Sequence, residues 1–296
     1  MTLRRVLITG GGGQLAADLE GLLADGAEVH APGHAQLDVT DDAAVETAFA
    51  GISPDTVFNC AAFHNVDLCE GEEEQSFAVN CRAVKRLAQL CDRGGAKLVH
   101  LSTNYVFDGE RDDPYGEWDH PNPQSVYAIS KLAGEWAALA YGPGALVVRT
   151  AGLYGLHGSA SKGGNFVTRM INRAQADGAL RVVSDQRLSP TYTEDLARSL
   201  IQAVEIGVEG TLHLTASDSC TWHEFTVAIM ELAGIPATVD PVPTAPDPNK
   251  AKRPLNGVLA RPAADAAGIA PLRFWHGGLA EYMQRAGLTA INKVTS

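Results

Sequence analysis

Four consecutive glycines, Gly10-Gly11-Gly12-Gly13, follow the aliphatic run Val6-Leu7-Ile8-Thr9 and lead into Gln14-Leu15-Ala16 at the head of a helical stretch. No other feature limits the fold as strongly. Residues without a Cβ neither extend a strand well nor start a helix, so the chain must turn at the carboxyl end of a strand. A strand, a glycine turn and a helix in that order make the first unit of a parallel sheet with helical crossovers. The turn also presents helix N–H groups and the helix dipole, which suit a pyrophosphate. Gly10 and Gly13 with Ala16 in third place follow a GxxGxxG/A spacing. A turn without a ligand is the plain alternative.

The same alternation fills the first half. Strands are expected at Leu3 to Thr9, Ala27 to Ala31, Thr56 to Cys60, Ala96 to Ser102 and Ala145 to Thr150. Helices are expected at Gln14 to Ala24, Asp41 to Ala50, Glu72 to Arg93 and Val126 to Tyr141. This pattern predicts an α/β fold, a Rossmann-type doubly wound parallel sheet, with ligands at the carboxyl ends of its strands. Residues 1–150 are read as the dinucleotide-binding domain. Residues 151–296 are read mostly as a smaller α/β substrate-binding domain, with a strand and helix around 180–205 returning to the first. There, Gly152 to Gly164 reads as a loop and Asn165 to Ala176 as a helix, while Thr193 and Thr221 read as caps of two further helices. Dense proline from Pro236 to Pro254 excludes a helix and predicts an extended surface segment.

Composition narrows the function classes. Lys and Arg total 23 against 35 Asp and Glu, a net charge of −12, and the bases are scattered, which argues against a nucleic-acid partner. No apolar run approaches the roughly twenty residues of a spanning helix, so no membrane is expected and a cytoplasmic protein is. Cys60, Cys69, Cys81, Cys91 and Cys220 form no CxxC pair and lack zinc spacing; they read as reduced packing residues.

Three further features carry chemistry. Asp38-Val39, past the second strand, could meet the adenine end of a dinucleotide, or Asp38 could simply cap the next helix. The second strand ends in His30-Ala31-Pro32-Gly33-His34, with neither an acid for a 2′-hydroxyl nor an Arg for a 2′-phosphate, so NADPH and NADH both stay open. Tyr127 and Lys131 lie one helical turn apart, and a nearby ammonium is expected to draw the phenol's pKa down for proton exchange with an alcohol or ketone. Thr103, in Leu101-Ser102-Thr103-Asn104-Tyr105-Val106-Phe107, sits where the fourth strand ends and could orient that exchange. The plain alternatives are a Tyr packed on a Lys stem and a hydroxyl serving a turn.

Taken in order, the glycine turn, Asn59-Cys60-Ala61-Ala62, Thr103 and the Tyr127/Lys131 pair resemble an extended short-chain dehydrogenase/reductase. Val183-Ser184-Asp185-Gln186-Arg187-Leu188-Ser189-Pro190-Thr191-Tyr192, Thr221-Trp222-His223-Glu224-Phe225 and Arg253-Pro254-Leu255-Asn256 are similar to the dTDP-4-dehydrorhamnose reductase family, nearly end to end. The resemblance implies reduction of the C4 ketone of dTDP-4-dehydro-6-deoxy-L-mannose to dTDP-L-rhamnose by NADPH or NADH. It implies Tyr127 as proton donor, Lys131 as its partner on the nicotinamide ribose, and Thr103 tuning the tyrosine. Gly10, Gly13, Gln14 and Leu15 would meet the pyrophosphate side, Asp38 and Val39 the adenine end, and Ala61 and Ala62 the ribose. Asn104, Tyr105, Gly152 and Arg253 fall at the substrate end, where Arg253 could pair with a diphosphate.

Two positions depart from the family. Asn104 stands where an Asp is common, and Gly152 stands where a tryptophan commonly lines the sugar pocket, unless Tyr154 or another ring fills that gap. A different 4-keto-deoxysugar nucleotide therefore stays open as substrate for a reductase or epimerase. So does a non-catalytic NADP-binding regulatory subunit, because the regulatory subunit of methionine adenosyltransferase shares much of the pattern. A homodimer is compatible with the resemblance. Some relatives carry Mg²⁺ at a dimer contact, but the acidic residues here show no pattern for it and no metal site is assigned. Trp222 and His223 are expected to pack or cap, and the remaining histidines show no ligand spacing.

Overall fold

The computed structural model describes residues 3–157, 164–247 and 249–290. The middle of the expected loop Gly152 to Gly164 and Pro248 of the proline-dense segment lie outside the described residues. In chain order the first half runs β1 (Arg5–Thr9), α1 (Gln14–Leu23), β2 (Glu28–His30), α2 (Asp42–Ile52), β3 (Thr56–Asn59), α3 (Val66–Gly71), α4 (Glu73–Phe77), α5 (Ala83–Gly94), β4 (Lys97–Thr103), α6 (Val126–Tyr141) and β5 (Leu146–Thr150). The second half adds α7 (Phe166–Asp177), β6 (Ala179–Val183), β7 (Arg187–Leu188), α8 (Thr193–Glu205), β8 (Gly210–His213), β9 (Cys220–Thr221), α9 (Trp222–Ala233), β10 (Thr238–Val242), α10 (Pro262–Ala266) and α11 (Trp275–Arg285).

Six strands form one parallel sheet in the order β2-β1-β3-β4-β5-β8. Chain direction across the sheet reverses between β1 and β3, the position where such sheets open a ligand crevice. Alternate strand residues face opposite layers. Val6, Ile8, Phe58, Val99 and Val148 join α1 and α8 in one core, and Leu7, Val57, Leu98 and Val147 join α2 and α5 in another. A third core, rich in aromatic rings, gathers Tyr154, Tyr192, Phe225, Trp275 and Tyr282 from the second half. Of the segment around 180–205, α8 packs on α1, whereas β6 pairs with β10 rather than with the large sheet.

Three expectations change. Thr193 does not cap the helix that follows: Tyr192 precedes α8 with no side-chain cap bond, and the Thr193 hydroxyl donates to the Tyr154 carbonyl at 3.2 Å. The single helix over Glu72 to Arg93 is interrupted by a π-helical turn at Ala78–Arg82 between α4 and α5. There the Asn80 carbonyl lies so near Gly134 of α6 that a Cβ on Gly134 would sit 2.1 Å from its oxygen. The close approach of α6 is a tertiary contact that no local pattern around Asn80 announces. The proline-dense segment is extended as expected, but it begins as the strand β10, which tolerates Pro241 because this strand has only one partner.

Candidate active site

The glycine turn makes a cradle of backbone. Gly10 and Gly12 adopt φ of +75° and +78°, left-handed values that favour glycine. A Cβ on Gly10 would lie 2.8 Å from the Ala61 nitrogen, and one on Gly11 would lie 2.0 Å from the Ala31 carbonyl oxygen. Gly12, by contrast, faces open space. Gly13 caps α1 without any side-chain bond, so the first N–H groups of that helix point into the turn unclaimed by a cap. An anionic pyrophosphate fits such a cradle.

The residues flanking it are committed in part. Gln14 accepts from the Gly155 N–H at 2.9 Å, tying the glycine turn to the second half, and the Leu15 side chain is core. Only their backbone N–H groups are therefore placed for a phosphate. Asp38 accepts from the Thr40 N–H at 2.9 Å and the Thr40 hydroxyl at 2.7 Å, which holds its carboxyl below the usual range. The helix cap weighed as the alternative for Asp38 falls instead to Asp41, whose side chain accepts from the Ala44 N–H, and Val39 beside Asp38 is buried. Ala61 and Ala62 follow β3 beside Gly10, and Asn80 braces Phe63 just beyond them. Its side chain accepts from the Phe63 N–H at 3.0 Å and donates to the Phe63 carbonyl and the Ser130 hydroxyl.

At the other end of the crevice, Ser125 caps α6 and Glu70 accepts from the Val126 N–H, which sets Tyr127 in the first turn. Burial raises the Tyr127 phenol above its ordinary pKa, and a hydrogen bond with the Thr103 hydroxyl only partly offsets this. The expected lowering by Lys131 is thus not what the structure gives. Lys131, 2% exposed, donates to the Leu101 carbonyl at 2.6 Å and lies 3.4 Å from His100 Nε2. Its own pKa is pushed down by burial to about 8. Proximity on one helix face did not reveal that the sheet offers the amine a better partner.

The substrate-end residues gather around Thr103. Its hydroxyl donates to Asn104 Oδ1 at 3.3 Å and accepts from the Tyr105 N–H at 3.2 Å. Asn104, buried, donates to the Gly257 carbonyl at 3.0 Å, a bond an ionised Asp could not make. The Tyr105 ring meets Tyr127 edge-on at 5.8 Å, and the nearby Arg253 guanidinium partly offsets the rise in its phenol's pKa that burial causes. Arg253 also pairs with Asp67 at 2.9 Å. Gly152 stands at φ +57°, and a Cβ there would meet Leu188 at 2.7 Å, so Leu188 and Pro190 already fill that space. Tyr154 does not take the place of a lost aromatic wall, because it is stacked on Tyr192 inside the third core.

Several structural partners escaped the sequence reading. Glu135, one turn beyond Lys131, pairs bidentately with Arg149 of β5 and accepts from Ser102. Arg149 also approaches His213 of β8, which bonds the Ala260 carbonyl at 2.8 Å. His100 and His213, assigned no role above, are thus both buried in polar networks. The turn-spaced Glu135 was a usable signal; the histidines carried none. Among the described residues no group of His, Cys, Asp and Glu could hold a metal ion, and no described helix is long and apolar enough to cross a membrane.

A six-stranded parallel sheet with a glycine cradle at its switch point, and a Thr, Tyr and Lys set at the same edge, define an extended short-chain dehydrogenase/reductase. Within that class, the chain belongs to the family described as RmlD substrate binding domain, whose model matches residues 4–287. It is 41% identical over 283 residues to a dTDP-4-dehydrorhamnose reductase of Mycobacterium tuberculosis, covering 93% of this chain and 91% of that protein. It is 39% identical to a spore coat polysaccharide biosynthesis protein of Bacillus subtilis, over 95% of this chain and 98% of the relative. Among solved structures it is similar to a Bacillus anthracis dTDP-4-dehydrorhamnose reductase in complex with NADP. The TM-score is 0.90 at 32% identity, covering 96% of this chain and all of that one.

Proposed function

We propose that this protein is a nucleotide-sugar 4-ketoreductase that converts dTDP-4-dehydro-6-deoxy-L-mannose to dTDP-L-rhamnose with NADPH or NADH. The observation that carries the reading is the buried Tyr127 phenol, kept protonated by burial beside the Thr103 hydroxyl at the crevice edge. When bound, the nicotinamide supplies the hydride that reaches C4. Tyr127 then passes its proton to the oxygen that gains charge, and a phenol of raised pKa is still acid enough for an alkoxide. Thr103, itself held by Asn104 and the Tyr105 N–H, fixes the phenol's position. Lys131 would hold the cofactor's ribose. Gly10 to Gly13 and the α1 N-terminus would hold the pyrophosphate, with Asp38, Val39, Ala61 and Ala62 along the nucleoside. Asn104, Tyr105 and Arg253 would face the sugar nucleotide, while Gly152 contributes backbone only.

On this reading residues 1–150, with α8 and β8, form the cofactor half, and most of the remainder forms the substrate half. We further propose a homodimer through α6, whose outer face exposes Ile129, Trp136 and Leu139 while both of its charged residues, Lys131 and Glu135, are buried. A cytoplasmic location suits five cysteines that form no disulfide with one another. The test is loss of reduced-nicotinamide absorbance when dTDP-4-dehydro-6-deoxy-L-mannose, generated in situ, meets the protein with NADPH or NADH. Oxidation of either with dTDP-L-rhamnose as product is expected. Cofactor binding without oxidation would overturn the reading.

A further inference from the structure

One row of buried polar side chains crosses the sheet from the glycine turn to Lys131. Thr9, Asn59 and His100 are register partners on β1, β3 and β4. The Thr9 hydroxyl is 2.7 Å from Asn59 Oδ1, the Asn59 amide nitrogen is 3.0 Å from His100 Nδ1, and His100 Nε2 is 3.4 Å from the Lys131 amine. All four residues are at most 2% exposed, so water cannot relieve a mismatch at any link.

We propose that His100 is a positioning residue for Lys131, and that the row Thr9, Asn59 and His100 is a two-state hydrogen-bond chain whose direction is coupled to the charge on the Lys131 amine. The proposal rests on the reading of Tyr127 and Lys131 given above.

Donor counting carries the argument. An ammonium has donors only, and a neutral imidazole has one donor and one acceptor nitrogen. When Lys131 is charged, His100 Nε2 must accept, Nδ1 must carry the proton, and Asn59 must turn its carbonyl oxygen toward the ring. When Lys131 is neutral, its N–H stays on the Leu101 carbonyl and its freed lone pair can accept from Nε2–H, so that Nδ1 accepts from the Asn59 amide and Asn59 Oδ1 accepts from Thr9. The orientation of Asn59 in this structure is the second of these. Thr9 serves either state, because a hydroxyl both donates and accepts.

His100 stays uncharged throughout, since burial and the neighbouring Lys131 hold its pKa well below the ordinary value. The other groups facing the Lys131 amine are Glu135 from its own helix and Cys60 from the end of β3. Glu135 is already held by Arg149, and burial pushes the Cys60 thiol up to about 12, so it is neutral at working pH. The coupled change is therefore a change of His100 tautomer, without a change of its charge, as Lys131 titrates near pH 8.

The direct test uses the full chain labelled with ¹⁵N-histidine, with the His100 ring identified by its disappearance in His100→Gln. From about pH 6 to about pH 10, a range spanning the Lys131 titration, the ring should pass from the Nδ1–H to the Nε2–H tautomer. The midpoint should fall near pH 8 in the wild type, with no transition in Lys131→Met. A single tautomer throughout, or a transition that survives in Lys131→Met, overturns the proposal. This measurement needs no turnover, so it stands apart from the assignment of Tyr127. Kinetics supply the second arm. His100→Phe removes the acceptor, so the alkaline limb of the kcat profile should move down by roughly one pH unit, with KM for the sugar nucleotide within about twofold. His100→Gln, which keeps an acceptor at the Nε2 position, should restore the limb. An unshifted limb in a folded His100→Phe protein overturns the positioning role.

Discussion

The two ends of the crevice are built from different materials. At the glycine turn the groups proposed to meet the cofactor are backbone N–H groups, offered by residues lacking a Cβ within a few positions of one another. At the Thr103 and Tyr127 end the proposed groups are side chains held by α3, α6, β4 and the segment around Gly257. A local device survives most distant changes and fails by loss of ligand affinity. A device assembled from distant segments depends on buried polar partners, and it should fail in turnover or in stability while cofactor affinity persists.

The largest separation of the two ends should come from Tyr127→Phe. Loss of the proton donor should lower kcat by about 10²- to 10⁴-fold, with cofactor affinity unchanged in a fluorescence titration. Comparable loss of cofactor affinity would erase the distinction. Arg149→Met should cost about 3–5 kcal/mol in urea unfolding, because it strands the buried Glu135 carboxylate. Adding Glu135→Leu should recover most of that cost, and failure to recover would show that Arg149 matters for more than its partner.

Asn104→Asp should cost about 1–3 kcal/mol at neutral pH, since a carboxylate facing the Gly257 carbonyl has no proton to donate. The deficit should shrink as pH falls and the new acid regains its O–H, a sign that unfolding at two pH values would check. At the opposite end, Gly12→Ala, whose Cβ would meet nothing, should weaken cofactor binding by roughly tenfold through left-handed strain, leaving kcat at saturating cofactor within a few-fold. The smallest kinetic effect is expected from Trp136→Glu, which should leave kcat within about twofold and convert the proposed dimer to monomer in sedimentation. A wild-type protein that is already monomeric would remove α6 as a contact surface.

The local features were legible. The glycine turn, the β5 and α6 segments and the Thr221 cap of α9 depend on neighbouring residues, and the structure has them where the pattern put them. The break at Asn80 was not legible, because its cause is the close passage of Gly134 from another helix. Nor was the pairing of β6 with β10, since strands this short and this far apart leave no periodic trace.

Sequence alone determined the class of chemistry: a glycine turn after a strand can only be built from residues without side chains, and Tyr127, Lys131 and Thr103 are reactive types at fixed local spacings. What each reactive group experiences was decided by tertiary structure. Spacing predicted an ammonium that draws the Tyr127 pKa down, yet burial raises that pKa and the Leu101 carbonyl claims the amine. Spacing follows from helix geometry within one turn. Desolvation and hydrogen-bond partners depend on which distant segments close over the site, and only the folded chain brings those together.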